Sequence, residues 1–477
     1  MIQFMSETFL LILIASGIGL LLAQQFLNAF NQYLSFVIDL GLHIDRTIIY
    51  FLSALILLIT FLAGYYPARA LAGYSAVTAL KHSITAKNTG FANTFSLRKV
   101  LVVTQFVVSQ LLIIGTVIVA SQMKYFYSRD LGYSKEGILT VEIPDNDPQK
   151  LEVFRNQLLS RASVKEVSFS SGPPTSATNS VGVFRRKESP EAEQFDMERK
   201  FVDPHYLPTY DIKLIAGRNL QESDITTLND GANRYNVVLN KKAINMLGIS
   251  NAADAIGQLI IVNDKDEATV VGVTDNFYNS SLQQPMTPVL LFNSRSWVAM
   301  ASIKMNTANA TNTADFIKKS WEKLYPDNIF KSMTLNEYIR NRAFYLLEDV
   351  MYQGFKIFVV LSLLIGCMGL YGLVSFLAIQ RQKEIGIRKV LGASVQGIVY
   401  LFSKEFVWLV LIAFLVAAPI GYICMKSWLA TFANRIDIHA GYFVIAFIGS
   451  LLVAALTVSF QAVKAAIANP VSSLRSE

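Results

Sequence analysis

Six stretches along the chain carry almost no polar side chains: residues 9–28, 47–66, 100–122, 357–379, 406–425 and 441–463. A helix needs roughly 20 apolar residues to cross a hydrocarbon core of about 30 Å, so each stretch predicts a transmembrane helix. No Asp, Glu, Lys, Arg or His lies inside any of them. Ion-coupled carriers and proton pumps place such groups near the midplane, and their absence argues against a secondary transporter. An even number of crossings puts both ends of the chain on one side.

Between the third and fourth stretches the pattern changes. In residues 124–350 the runs "ATVVGVTDNF" and "NVVLNKKAINMLGI" are rich in β-branched residues and read as strands, the second leading into a helix, while "PPTS" and "DPHYLP" mark loops. "TADFIKKSWEKLYP" repeats apolar residues at helical spacing until Pro326 stops it. A segment of this size can bury a core of its own. Its exit, "TLNEYIRNRAFYLLEDVMYQGFKIF", opens with Thr334 and Glu337 in capping-box spacing and puts Ile339, Ala343, Leu346, Leu347 and Val350 on one face. That pattern predicts one unbroken helix from the large segment into the fourth span. The expected fold class is an α-helical integral membrane protein with six transmembrane helices and one large extracytoplasmic α/β domain.

Charge sets the orientation. Residues 1–8, 67–99, 380–405 and 464–477 hold twelve Lys and Arg (Arg69, Lys81, Lys87, Arg98, Lys99, Arg381, Lys383, Arg388, Lys389, Lys404, Lys464 and Arg475) against four acids (Glu7, Glu384, Glu405 and Glu477). By the positive-inside rule these segments, and both termini, are cytoplasmic. Residues 124–350 carry 26 basic against 28 acidic residues and lie outside, as do 29–46 and 429–440. The net charge of +7 is thus a topology signal and implies no nucleic acid. The N-terminus has no basic region and no small-residue cleavage site, so its apolar run reads as a span and not a signal peptide. Cys367 and Cys424 both fall in predicted spans and read as small core residues rather than a disulfide.

The chain also repeats itself. "ETFLLILIA" (7–15) lines up with "EFVWLVLIA" (405–413), and "YPARALAGYSAVTALK" (66–81) with "FQAVKAAIANPVSSLR" (460–475). Each copy is a span, a short outer loop, a second span and a small-residue tail. The first copy starts in the middle of the unit, and the expectation is that its upstream part is missing from this sequence or supplied by another chain.

One cytoplasmic joint stands apart. "RQKEIGIRKVLGAS" (381–394) connects two uncharged spans with a charged, helix-forming segment instead of a flexible turn. Ile387, Val390 and Leu391 fall on one face; Arg381, Glu384 and Arg388 share another, with Glu384 and Arg388 at the favourable i,i+4 spacing, before Gly392 and Ala393 end the turn. Two readings fit: an interfacial helix anchored among lipid headgroups, or a docking element for a cytoplasmic protein. In the preceding span Gly366, Gly369 and Gly372 recur every third residue, a spacing that lets helices pack closely.

Together with "LFSKEF", "VDPHYLPTYDIKLIAGRNL", "GVTDNFYNSSLQQPMTPVLLF", "VVLNKKAINMLG" and "TVSFQAVKAAIANPVSSLR", this joint closely resembles the MacB/FtsX family of ABC transporter permeases, in particular the two-repeat, eight-span type common in Bacteroidetes. The resemblance covers essentially the whole chain and is strongest at 381–394. It implies a membrane subunit that couples ATP hydrolysis by a separate cytoplasmic ABC ATPase to movement of the outer domain, for export or mechanotransmission. It also implies an inner-membrane location with the large domain periplasmic, and a periplasmic or outer-membrane partner. On this resemblance 1–81 is the second part of a first FtsX-like repeat, 82–99 a cytoplasmic linker, 100–122 a span, 124–350 a MacB-like core domain with its stalk, and 351–477 the FtsX-like permease domain. The ATPase-coupling helix would be 381–394, with the docking role on Arg381, Lys383, Glu384, Gly386, Arg388, Lys389, Gly392, Ala393 and Ser394 beside the apolar Ile387, Val390 and Leu391. The front departs from the pattern: the first span, first outer domain and first stalk span of an eight-span relative do not precede residue 1.

Motifs for phosphate binding, metal binding and nucleophilic hydrolysis do not occur in the sequence. There is no G-x-x-x-x-G-K-[ST] loop, so ATP binding falls to a partner. His43, His82, His205 and His439 are isolated, with no H-E-x-x-H, and no G-x-S-x-G elbow occurs, so neither a cofactor, a metal site nor a hydrolase is expected. A second class of function stays open at this point: a membrane-anchored receptor or scaffold that regulates an envelope partner without transport.

Overall fold

The computed structural model describes residues 2–34, 45–72, 91–176, 180–226, 232–294, 296–340, 346–380, 391 and 394–467. Six helices among them are long and apolar enough to cross a membrane, over Met5–Asn28, Arg46–Tyr65, Lys99–Ser128, Val350–Phe376, Phe406–Leu429 and Ala440–Phe460. The chain is a multipass membrane protein with one large α/β domain.

The first 97 residues form a unit of their own. Helices α1 (Ile2–Leu34) and α2 (Arg46–Ala72) make a hairpin, with α2 opened by Asp45, whose carboxylate accepts the Ile48 N–H at 2.9 Å. A Cβ on Gly64 would stand 2.8 Å from Met5 Sδ, so the end of α2 lies against the start of α1. The repeat expected from sequence has its second hairpin in α10 (Val395–Leu429) and α11 (Ala440–Ile467), where Phe414 and Phe447 pack at 4.9 Å. The tails 73–81 and 468–475, which carry part of the repeat, lie outside the described residues.

In the second unit, α10 and α11 pack with α3 (Phe91–Ser128) and α9 (Leu346–Gln380). Helix α3 touches each of the others: a Cβ on Gly115 would meet Phe355 of α9 at 3.4 Å, one on Gly421 of α10 would meet Ile114 at 3.2 Å, and Gln110 bonds Ser450 of α11 at 3.0 Å. Leu10, Leu21, Leu62, Met368, Leu415 and Leu456 are exposed, as lipid-facing residues should be. Cys367 is half-buried and accepts from Thr457 Oγ1 at 3.3 Å. Cys424 is exposed, which corrects the expectation that both cysteines are core residues.

The outer domain is built on eleven strands: β1 (Ile138–Glu142), β2 (Val164–Ser170), β3 (Ser180–Arg186), β4 (Phe195–Val202), β5 (Leu214–Gly217), β6 (Arg234–Asn240), β7 (Leu259–Val262), β8 (Asp266–Thr274), β9 (Val289–Asn293), β10 (Met300–Met305) and β11 (Ser332–Thr334). Ten of them run in the order β11-β1-β10-β2-β4-β3-β7-β8-β6-β9, β5 pairs with β8 off this path, and a parallel β4–β9 pairing closes the last six into a barrel. The alternation in "DEATVV" of β8, with Asp266, Ala268 and Val270 buried, sets the register that fills the barrel with Phe184, Met197, Tyr235, Val237, Leu239, Ile260 and Phe292. Strands β11, β1, β10 and β2 form an open sheet under α4 (Pro148–Leu159) and α7 (Ala310–Leu324). Asp147 caps α4 by accepting from Gln149 and Lys150, and Pro148 sits at its first turn. Helix α7 ends before Pro326 as its pattern requires, and buries Ile317 and Trp321 on Val141, Val167 and Ile303.

The two halves barely pair. Between β2 and β4 the ladder is a single residue pair, Ser170 and Val202. Side chains take over: the Asp203 carboxylate, just past β4, accepts from Arg155 of α4, from Ser168 Oγ at 2.7 Å and from the Phe169 N–H at 2.8 Å. The stretch expected as a loop at 203–208 is in part a helix, α5 (Tyr206–Tyr210), closed by Asp211 in the left-handed region with φ 52°. Its tyrosines drive that departure, since Tyr206 and Tyr210 are fully buried beneath the sheet and Tyr210 shares a 2.5 Å hydrogen bond with Ser302.

Candidate functional site

The joint 381–394 is described only at its end. Arg381, Lys383, Glu384, Gly386, Ile387, Arg388, Lys389, Val390, Gly392 and Ala393 lie outside the described residues. Leu391 is 79% exposed. Ser394 is not part of a connector helix: its backbone is extended (φ −70°, ψ 152°) and its hydroxyl accepts the Gly397 N–H at 3.2 Å, which makes it the N-cap of α10. From that cap α10 runs 35 residues to Leu429. At 1.5 Å per residue this is roughly 50 Å, long enough to span the bilayer and protrude. Pro419 sits inside it without ending it.

Inside the bundle, uncharged polar groups hold α3 in place. Ser109 and Ser362 are 2.6 Å apart, and Gln110 Nε2 donates to Ser450 Oγ at 3.0 Å and to the Val410 carbonyl at 3.3 Å. Of the three glycines singled out by spacing, Gly369 is the tightest, since a Cβ there would meet Gln105 Oε1 at 2.7 Å; Gly366 faces Ser109 at 4.0 Å. Gly372 has nothing within 4 Å, so close packing does not extend to it. Gln105, Ser109 and Gln110 carry no full charge, so the charge pattern of the spans does not reveal them. Their signal is the polar spacing i, i+4, i+5 in an otherwise apolar run.

The outer end of the bundle is fastened to the domain above it. One cluster of buried side chains runs from Ile114, Ile118 and Met425 through Leu429, Phe432 and Phe126 to Phe277, Leu282 and Tyr210. Residues 430–436, just beyond α10, lie against residues 277–283 between β8 and β9. Ala433 N donates to the Gln283 carbonyl at 2.8 Å, and Asn434 Nδ2 to the Leu282 carbonyl at 2.9 Å, while Asn434 Oδ1 accepts from Tyr278 Oη at 3.1 Å. Gln122 of α3 completes the joint. Its Nε2 donates to the Asn434 carbonyl at 2.9 Å and its Oε1 accepts the Ile436 N–H at 3.0 Å, so this buried amide is used at both ends. Tyr278 carries the contact upward: its N–H bonds the Leu131 carbonyl at 2.9 Å, and its own carbonyl accepts from Thr175 Oγ1, which in turn accepts from Tyr133 Oη at 2.6 Å. Gly132, at φ 77°, packs against Asn276 and Phe277 where a Cβ would collide with backbone.

On the other side of Thr175 the loop 171–176 is held by a buried cation. Lys200 Nζ donates to the Pro173 carbonyl at 3.0 Å and to Ser176 Oγ at 3.1 Å. Burial pushes its pKa down to about 7, against the attraction of Glu198, whose own carboxyl is raised by burial. Below pH 7 both folded and unfolded chains carry the proton. Between about 7 and the unfolded value of 10.5 the unfolded chain binds it more, so stability rises with pH. The expected gain from pH 7 to pH 9 is on the order of 2 kcal/mol. Thermal unfolding of wild type and Lys200→Met across this range checks it: the variant should lose the rise, and an equal rise in both would assign it elsewhere.

Comparison with protein-family models matches residues 356–470 to the FtsX-like permease C-terminal family and residues 102–319 to the MacB-like periplasmic core domain. Comparison with curated proteins gives no match. Among solved structures, similarity is found to the periplasmic region of MacB from Actinobacillus actinomycetemcomitans, at 15% identity over 48% of this chain and 97% of that one, with TM-score 0.30. The extracellular domain of the ABC-type transporter YknZ from Gram-positive bacteria matches at 13% identity over 41% of this chain and 99% of that one, with TM-score 0.29. A domain of a permease protein from Porphyromonas gingivalis matches at 12% identity over 42% and 91%, with TM-score 0.28.

Proposed function

Because the chain belongs to the MacB/FtsX family of ABC transporter permeases, we propose that it turns ATP hydrolysis by a separate cytoplasmic subunit into displacement of its outer domain. The docking element is the connector 381–394, and its role is to seat the ATPase. The observation that carries this reading is α10: it starts at Ser394, where the connector ends, and reaches without interruption to Leu429, beside the outer domain. A helix transmits displacement along its axis, whereas a flexible linker of the same length absorbs it. The twelve-to-four excess of basic residues supports a cytoplasmic connector and termini, with the domain on the far side of the inner membrane.

The test uses the complex purified from native membranes. A P-loop ATPase is expected to copurify. Paired spin labels at Cys424, an exposed thiol of the bundle, and at Glu188→Cys on the barrel, with Cys367→Ser, should report a distance that changes with ATP turnover. Absence of an ATPase, with a distance indifferent to nucleotide, would favour the receptor or scaffold reading.

A further inference from the structure

Both chain crossings between membrane and outer domain enter the same half of that domain. Helix α3 leads through Leu131–Ser134 into β1, and β11 leads through the Thr334–Glu337 capping box towards α9; β1 and β11 are neighbours in the four-stranded sheet. The barrel has no covalent tie of its own to the bundle. Its strand pairing with the sheet is the single Ser170–Val202 pair; beside it stand the Ser171–Phe201 backbone hydrogen bond at 2.8 Å, the Asp203 contacts and the Lys200 bonds to the loop 171–176, and it touches the bundle through the segment 277–283.

Resting on the proposed function, we propose that the loop 430–436 is a second transmission element: a strut that α10 drives against the barrel, tilting it relative to the four-stranded sheet. Asn434 and Gln122 are its positioning residues. The geometry is that of a rigid joint. The Asn434 amide uses its donor on Leu282 and its acceptor on Tyr278, and the Gln122 amide fixes the backbone of the loop on both sides of Arg435. Phe432 stands between Trp428 at 4.7 Å and Phe126 at 5.7 Å, so the tip of α10 does not slide free of α3. Above the joint the load meets the weakest ladder in the sheet, one residue pair long, which is where a rigid barrel pivots most cheaply. Movement of α9 alone would shift both halves together through β11. Movement of α10 changes the angle between them.

Two label pairs in the native complex separate these routes. The pair Glu188→Cys and Ile329→Cys, with Cys367→Ser and Cys424→Ser, spans the barrel and the four-stranded half; Ile329 is 81% exposed. Its distance should change with ATP turnover, and Asn434→Leu should abolish most of that change while copurified ATPase and its hydrolysis rate stay near wild type. Adding Ala433→Cys and Gln283→Cys, whose backbones are hydrogen-bonded at 2.8 Å, should restore the change when the pair is oxidised and lose it again on reduction. A covalent tie that rescues a lost side-chain contact is a result that a merely stabilising role of Asn434 does not produce. An ATP-dependent change that survives Asn434→Leu undiminished, or one that oxidation fails to restore, overturns the strut and leaves the proposed function intact. If instead the barrel-to-bundle pair in otherwise unaltered protein ignores ATP, the proposed function itself fails.

Discussion

Leu391→Asp is expected to strip the permease of its ATPase while leaving it inserted in the membrane. The side chain is 79% exposed in the isolated chain, three residues before the cap of α10, and has no burial of its own to lose. On the docked connector proposed above, Leu391 is expected to be a central apolar anchor, and truncating such a residue typically costs about 2–4 kcal/mol, or roughly 30- to 1,000-fold in affinity. A carboxylate in its place adds the penalty of burying a charge without a partner. Copurified ATPase should therefore fall at least about 30-fold, with membrane-inserted protein unchanged. If 381–394 is only an interfacial anchor, ATPase recovery will be indifferent to the substitution, and removing Arg381, Arg388 and Lys389 will be what disturbs the protein.

The second large effect belongs to the joint between the two halves. Asp203→Ala removes the acceptor for Arg155, Ser168 and the Phe169 N–H in one step. Burial already raises the Asp203 carboxyl above its usual range, against the pull of Arg155, so the ion pair is no large net gain in itself. The loss comes from what is left behind: a guanidinium with only 7% of its side chain exposed, left with the half-exposed carboxylate of Glu152 at 3.3 Å and the Phe169 ring, whose centroid is 4.9 Å away. Breaking one side of such a pair costs about 3–5 kcal/mol. Set against a domain stability of roughly 5–15 kcal/mol, that is a large fraction. Thermal unfolding of the full chain should show it directly, and Arg155→Met combined with Asp203→Leu should recover most of the loss, since no buried charge remains. A double variant as unstable as the single one would mean that Ser168 and Phe169, not the stranded cation, dominate.

The apolar runs made the membrane spans legible because lipid demands about 20 such residues in a row and nothing else in the chain supplies them. The strand and helix runs at 236–249, 268–277 and 313–326 were legible for a similar reason: a period of two or of 3.6 is imposed by the face each element buries. The Thr334–Glu337 cap was legible because both partners sit within one turn. What sequence could not display was any contact between distant segments. Gln122 and Asn434 are 312 residues apart, and the one looks like an ordinary polar residue at the end of a span, the other like an ordinary loop residue, until the fold brings them together. The single-pair β2–β4 ladder is equally silent, because strand length says nothing about how much of a strand finds a partner. The expected continuous helix beyond Tyr338 turns on residues 341–345, which lie outside the described residues.

Closing six strands into a barrel also decides how this domain tolerates its neighbours. A sheet with a long open border offers its N–H and C=O groups to any extended chain, and a crowded envelope contains many. Here β4 and β9 seal each other, and the open border of β2 is interrupted where the Phe169 N–H is taken by Asp203. At the far end the border is β11, three residues long, with Lys331 beside it held by Glu142 at 3.6 Å. Among the described residues, a protein that recognises this domain finds only short borders on which to add a strand, which favours reading side chains instead.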